Sequence, residues 1–345
     1  MSESKEKADL GKVSIVTPTF HRPGEIAGLL ENLSQQILLP SEVILVDGAP
    51  AADADTEKVV AEVVGSLPFE CHYIRHALGT AIQRNAGIDK AVGAFIAFID
   101  DDVRLDPGFL STVISVFAED KDKKVGGIVG FRTNRHFRLN ERQRWRWYRR
   151  LRLLTTYEPG LYDFQSGYPI SALMQPPFGG VRKVDFMTTA CGVWRREVFD
   201  SGLRFDPFFC DYGVLEDAHL SLRAGRQWKL LQCGDAHCLE MSSPNGRVSR
   251  KKFGFKTVVN HYYVFQDIVR PLTWRHKMRF WRFQIFELLR IAASAVRRRR
   301  MMDLMELRGR LEGFVAVARG FASSADTPKS LAGFCHPSKQ PAFED

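Results

Sequence analysis

Near the start of the chain, apolar positions come in short unbroken runs, and between the runs they recur at helical spacing. Residues 13–17, 43–46 and 94–99 are the clearest runs, and each stops abruptly at polar or turn residues. The stops are Thr17-Pro18-Thr19, Asp47-Gly48 and Asp100-Asp101-Asp102. Runs of this length, bounded in this way, predict strands buried on both faces. Further strands are expected at 71–74 and 125–131. Ile26, Leu29, Leu30 and Leu33 follow Pro23 at helical spacing, and proline suits a first helical turn. Other helices are expected over 56–64, 80–92 and 107–117. Strand alternating with helix through this half predicts an α/β fold with a mostly parallel twisted sheet, helices on both faces and right-handed crossovers. The carboxyl ends of its strands share one edge, where such sheets bind ligands.

Beyond residue 132 the pattern is less regular. Strand pieces are expected at 184–189 and 192–195, a short helix from Glu197, a helix over 214–223 and a strand over 228–232. The strand leads into Gly234-Asp235-Ala236-His237, which sets a histidine just past a strand end. Helices over 251–270, 274–296 and 302–321 complete the chain. The expected organisation is a flexible 1–11, a main domain over 12–250 with halves 12–131 and 132–250, basic amphipathic helices over 251–322, and a loose tail over 323–345.

Composition narrows the class. The chain has 345 residues, 45% apolar and 26% charged, as in globular proteins. Its six cysteines form no Cys-x-x-Cys pair, which favours reduced thiols in a cytosolic setting. Cys233, His237 and Cys238 lack the second ligand pair of a structural zinc site. The N-terminus carries no apolar h-region, and no apolar run approaches the roughly 20 residues of a membrane span. The net charge of +9 is concentrated in 135–152 and 247–310, which points to an anionic partner. In 135–152 the arginines alternate with Trp145, Trp147 and Tyr148. This suits base stacking, a membrane interface, or a helix packed with its aromatics inward. The basic helix over 274–296 suits either an anionic bilayer surface or a packing arm.

Three adjacent carboxylates at a strand end repel one another unless a cation joins them. A divalent metal carrying a phosphorylated ligand would meet that need; a solvated turn capping the next helix is the alternative. No Gly-x-Gly-x-x-Gly or P-loop pattern is present, so a diphosphate would have to be met by metal and side chains. Arg84 is a candidate, although a surface helix arginine reads the same way. Glu216 and Asp217 sit in a first helical turn, where the helix dipole alone favours acids.

Taken in order, several segments of 13–265 resemble the family 2 glycosyltransferases, nucleotide-sugar enzymes of the GT-A fold. They are the opening strand with Thr17-Pro18-Thr19, the strand ending in Asp47, Arg84-Asn85-Ala86-Gly87, Asp100-Asp101-Asp102, Glu216-Asp217 with Leu222-Arg223 and Gly225, and the late His237. The resemblance implies that Asp47 bonds the base, that Thr17, Pro18 and Thr19 line its pocket, and that Arg84 faces the nucleotide. It places Asp101 near the ribose and makes Asp102, with His237 and Asp100, a holder of Mn2+ or Mg2+. Asp217 would be the general base and Glu216 an acceptor-side residue. The implied reaction is inverting transfer from a UDP-, dTDP- or GDP-linked sugar to a glycan or lipid-linked acceptor, in surface polysaccharide or glycolipid synthesis. The enzyme would be cytoplasmic, at the inner membrane face, touching anionic lipid through 270–300 and no nucleic acid. Asp47-Gly48-Ala49-Pro50 departs from the family in lacking a second polar residue after the base-binding acid. A nucleotidyltransferase would need a triphosphate loop, for which only His21-Arg22-Pro23-Gly24 is available. A non-catalytic polyanion- or membrane-binding module would not need the intact acids.

Overall fold

A computed structural model describes residues 11–134, 139–209, 213–241 and 248–323. Residues 1–10, most of the expected tail, Cys210 and Cys335 lie outside the described residues. The first half runs β1 (Val13–Thr19), α1 (Pro23–Ser34), β2 (Glu42–Asp47), α2 (Asp55–Val63), β3 (Glu70–Arg75), α3 (Thr80–Lys90), β4 (Phe95–Ile99), β5 (Val103–Leu105), α4 (Phe109–Glu119) and β6 (Val125–Arg132). There follow α5 (Leu139–Arg150), β7 (Tyr162–Asp163), β8 (Tyr168–Pro169), β9 (Val181–Val184), β10 (Cys191–Arg195), α6 (Glu197–Asp200), α7 (Glu216–Ala224) and β11 (Lys229–Glu240). The chain closes with α8 (Arg250–Ile268), α9 (Trp274–Arg298) and α10 (Met301–Ser323).

The central sheet has the order β3-β2-β1-β4-β10-β6-β11-β5, with β9 added on β11. β1 is parallel to β2 and β4, and β2 to β3, so their carboxyl ends share an edge. Thr19 pairs with Asp47, and Asp47 with Arg75. Every residue of β1, β2 and β4 is buried, as the unbroken runs predict. Strand β10 enters antiparallel between β4 and β6, with Cys191 opposite Ile99 and Val193 opposite Ile128. The sheet is thus parallel through its first half and mixed through its second.

Two local expectations need correction. Residues 185–189 are not a strand, and β11 does not stop at Gln232. It continues to Glu240 with an irregularity between Gln232 and His237, and His237 pairs with Phe131 inside the strand. The cause lies at Gly234. A Cβ there would meet the Phe178 carbonyl oxygen at 2.0 Å. The Gly234 N–H donates to Gly180 O at 2.8 Å, and Asp235 accepts from the Gly180 N–H at 2.7 Å. Gly-Asp here is a bulge that lets a neighbouring segment cross, not a turn that ends the strand.

The C-terminal helices pack on this body. Phe265 of α8 stacks on Phe280 of α9, with centroids 4.8 Å apart. Helix α5 docks on α9 through Tyr148, which lies against Phe283 and Phe286. Tyr148 donates to Glu287 at 2.7 Å and Arg144 pairs with Glu287 at 2.8 Å. Burial works against the Glu287 charge, but Arg144 and Arg290 win and hold its pKa at about 2. Of the readings of 135–152, inward packing holds for Tyr148, whereas Trp147 stays half exposed. Among the described residues no helix is long and apolar enough to cross a membrane.

Candidate active site

The first turns of α3 build the centre of the site. Gln83 is buried and donates to Thr19 O at 2.9 Å and to Val46 O at 2.7 Å, tying the ends of β1 and β2 together. Arg84 donates from Nη2 to Asp100 at 2.9 Å and from Nη1 to Glu216 at 3.3 Å. Its side chain is only 4% exposed, so the surface-arginine reading is overturned. Burial alone would lower its pKa, yet Asp100 and Glu216 raise it on balance. Asn85 clamps the backbone of Phe205, donating to its carbonyl at 2.8 Å and accepting from its N–H at 2.9 Å. Gly87 lets α3 approach β1, since a Cβ there would meet Val16 Cγ1 at 2.2 Å. Sequence reading missed Gln83; its one signal was its position just before Arg84 on the first turn of a helix facing strand ends.

The three aspartates divide differently from the sequence expectation. Asp101 turns inward: Thr19 donates to one carboxylate oxygen at 2.9 Å and Arg22 to the other at 2.6 Å. Burial pushes the Asp101 pKa up to about 6, against the pull of Arg22. With its side chain 5% exposed and both oxygens engaged, Asp101 supports the loop between β1 and α1. Asp100 is the acid that keeps an open side, 35% exposed beside Arg84. Asp102 lies 4.0 Å from Arg22 and is partly exposed. Asp101 is thus engaged within the protein, and Asp100, expected beside it, presents the more open carboxylate.

Asp47 is wholly buried at the end of β2. It accepts from the Ala49 N–H at 2.8 Å and from the Tyr73 hydroxyl at 2.7 Å. Burial and Asp47 together raise the Tyr73 pKa strongly, so Tyr73 stays a donor. Thr17 and Pro18 are buried within β1, and the Thr17 hydroxyl has no hydrogen-bond partner. At the rim, His21 pairs with Asp53, and Arg75 donates to Pro50 O, Asp53 O and Glu57.

Glu216 and Asp217 open α7. The residue before them, Leu215, has φ +73, a left-handed conformation that costs a bulky side chain energy. Glu216 is held by Arg84 and, at 3.4 Å, by the Thr80 hydroxyl, so it supports the site from inside. Asp217 accepts from the Ala218 N–H at 2.7 Å. Burial, and then Glu216, push the Asp217 pKa up to about 7, against the Ala218 N–H, Arg84 and Arg132.

His237 is not brought to the aspartates. Its ring nitrogen lies 3.7 Å from Asp106. The residue opposite Asp102 is Met241, just past the end of β11, whose N–H donates to Asp102 O at 2.7 Å. Four residues along a strand separate backbones by about 13 Å. The structure thus sets His237 beside Asp106, away from Asp102. Among the described residues no group of three or more His, Cys, Asp or Glu is placed to hold an ion. A hard cation bridging a diphosphate needs only one or two carboxylates besides phosphate oxygens and water. The partly exposed carboxylates of Asp100 and Asp102 fit that need.

Residues 14–175 match the model of glycosyl transferase family 2. An uncharacterized glycosyltransferase of Haemophilus influenzae is 33% identical over 108 residues, 31% of this chain and 35% of that protein. The GalNAc(5)-diNAcBac-PP-undecaprenol beta-1,3-glucosyltransferase of Campylobacter jejuni is 29% identical over 109 residues, 30% of this chain and 33% of that protein. The matched stretch thus spans about a third of the length of these relatives. The mannosyltransferase PcManGT from Pyrobaculum calidifontis, solved with GDP-Man and Mn2+, superimposes with a TM-score of 0.51 at 15% identity. The superposition covers 94% of this chain and 78% of that one. That likeness shows the GT-A fold.

Proposed function

We propose that the protein, whose residues 14–175 match the model of glycosyl transferase family 2, transfers a sugar from a UDP-, dTDP- or GDP-linked donor to a hydroxyl of a glycan or lipid-linked acceptor, inverting the anomeric carbon. One observation carries the reading: the Arg84 guanidinium joins Asp100, beside the donor edge of the sheet, to Glu216, beside Asp217. Donor-side and acceptor-side groups are thereby fixed relative to each other before any ligand arrives.

Asp100 and Asp102 would hold Mn2+ or Mg2+, which supplies positive charge to the departing nucleotide diphosphate. Asp47 fixes the base-side wall by accepting from Tyr73 and the Ala49 N–H, with Thr17, Pro18 and Thr19 supporting that wall. Asp217 takes the proton of the acceptor hydroxyl as its oxygen bonds to the anomeric carbon. The bond from that carbon to the diphosphate breaks, and its electron pair leaves with the nucleotide. A single base opposite the leaving group gives inversion. A base with a pKa of about 7 is half ionised at neutral pH and still basic enough to accept the proton. Glu216, fixed by Arg84, keeps the first turn of α7 facing this point. The name of the Campylobacter relative, which specifies a PP-undecaprenol-linked acceptor, supports a lipid-linked acceptor here.

The test is Asp217→Asn. Calorimetric binding of the donor should be retained, while transfer falls by about 10²–10⁴-fold, the usual worth of a positioned general base. Unchanged turnover would remove Asp217 from the mechanism.

A further inference from the structure

Helix α9 is apolar on two sides. One side, with Phe280, Phe283, Ile291 and Ala295, is buried against the body. The other faces water: Trp274, Met278, Ile285, Leu289 and Val296 are 48–79% exposed. Their spacing of four, seven, four and seven residues keeps them on one helical stripe about 33 Å long, at about 1.5 Å per residue. Beyond Arg299 and Arg300, α10 opens with exposed Met301 and Met302. A continuous apolar stripe of this length on a water-facing helix marks an interaction surface.

The charges around the stripe say what kind. Helix α9 carries seven arginines and lysines (Arg275, Lys277, Arg279, Arg282, Arg290, Arg297, Arg298) against one acid, Glu287. Glu287 is buried and bound by Arg144, Tyr148 and Arg290, so no acid of α9 is presented outward. A second copy of the chain would set like charge against like charge across this face. An anionic bilayer would present headgroups to the arginines and acyl chains to the stripe, with the arginine stems lying along the boundary.

We infer that the outer face of α9, continued into the start of α10, docks flat on a membrane surface rich in anionic phospholipid. This deepens the proposed function, since it would bring the cleft to a lipid-linked acceptor. The two claims are read separately, because vesicle binding needs neither donor nor acceptor.

The full-length protein is floated with vesicles of phosphatidylcholine, and with vesicles of phosphatidylcholine and phosphatidylglycerol in equal parts. Binding to the second set, weakening as salt is raised, is expected. The double variant Ile285→Glu, Leu289→Glu should lower the partition coefficient at least about tenfold, and so should Arg297→Gln, Arg298→Gln, Arg299→Gln, Arg300→Gln. Both should leave slow donor hydrolysis in solution and the unfolding midpoint unchanged. Equal binding to both vesicle types, or to neither, overturns the inference. So does a double variant that floats like the parent but changes from dimer to monomer in sedimentation, which would give the stripe to a second copy. Loss of donor hydrolysis in the parent protein would count against the proposed function and leave the membrane inference standing.

Discussion

Arg84 and Glu216 stand 132 residues apart in the chain and 3.3 Å apart in the fold. The pair is buried, and the same guanidinium also holds Asp100. Arg84→Met should therefore cost about 3–5 kcal/mol, because two acids lose their cation at once. Urea unfolding measures this. The double variant Arg84→Met, Glu216→Met should recover part of the loss, because one of the stranded charges is gone. A single-variant cost below about 1 kcal/mol would mean that the bridge is exposed and weak.

With Asp217 as the proposed base, its raised pKa sets the expected acid limb of the reaction. Its folded value, about 7, lies above the ordinary value of 3.8. The base is protonated below that pH, so kcat/KM should fall as pH drops through about 7. The stability effect has the opposite direction. A carboxyl whose pKa is raised on folding binds its proton more tightly in the folded state, so stability is lost as pH rises from about 4 to about 7. Asp217→Asn escapes that loss. Its unfolding midpoint should exceed the parent's by more at pH 8 than at pH 5, without metal or donor. A constant difference across that range would show that Asp217 titrates normally.

Metal and nucleotide binding can be separated by thermal shift. A nucleoside diphosphate should raise the unfolding midpoint more with Mn2+ than without, since only the folded state binds both. Asp102→Ala should abolish the Mn2+-dependent part. His237→Ala should leave it intact, because His237 of β11 lies beside Asp106, past the end of β5 farthest from Asp102. If His237→Ala removes the Mn2+ response, the separation of His237 from the aspartates does not hold in the bound state.

Gly87 tests the packing of α3 on β1. Gly87→Ala places a methyl 2.2 Å from Val16 Cγ1, and overpacking of that kind costs about 1–3 kcal/mol. Adding Val16→Ala should restore much of the stability. A neutral single variant would mean that α3 stands further from the sheet than described.

Much of this was legible in sequence because it depends on local pattern. The apolar runs specify β1, β2 and β4 by burial alone, and their parallel order sets Thr19, Asp47 and Asp100 on one edge. Arg84-Asn85-Ala86-Gly87 was recognisable as a motif, although the separate tasks of its residues required the neighbours to be seen. What stayed hidden depends on distant segments. Which of Asp100 and Asp101 faces outward is decided by Thr19 and Arg22, some 80 residues earlier. His237 was misplaced because the Gly234 bulge exists only where the 178–180 segment crosses. Helix α9 has apolar residues around much of its circumference, and periodicity alone does not reveal which of them a neighbour covers.

The position of β10 has a consequence for how the chain reaches this state. Residues 14–175, the stretch recognised by the family model, include β4 and β6 but not the strand that lies between them. A fragment ending at 175 would leave two unsatisfied ladder edges facing a gap about two strand spacings, roughly 10 Å, wide. The ladder edges of β4, β5 and β6 are therefore not all paired until residues 191–195 and 229–240 have been made and inserted. Closing the sheet thus depends on pairings between segments far apart in the chain, which topology makes slow to form.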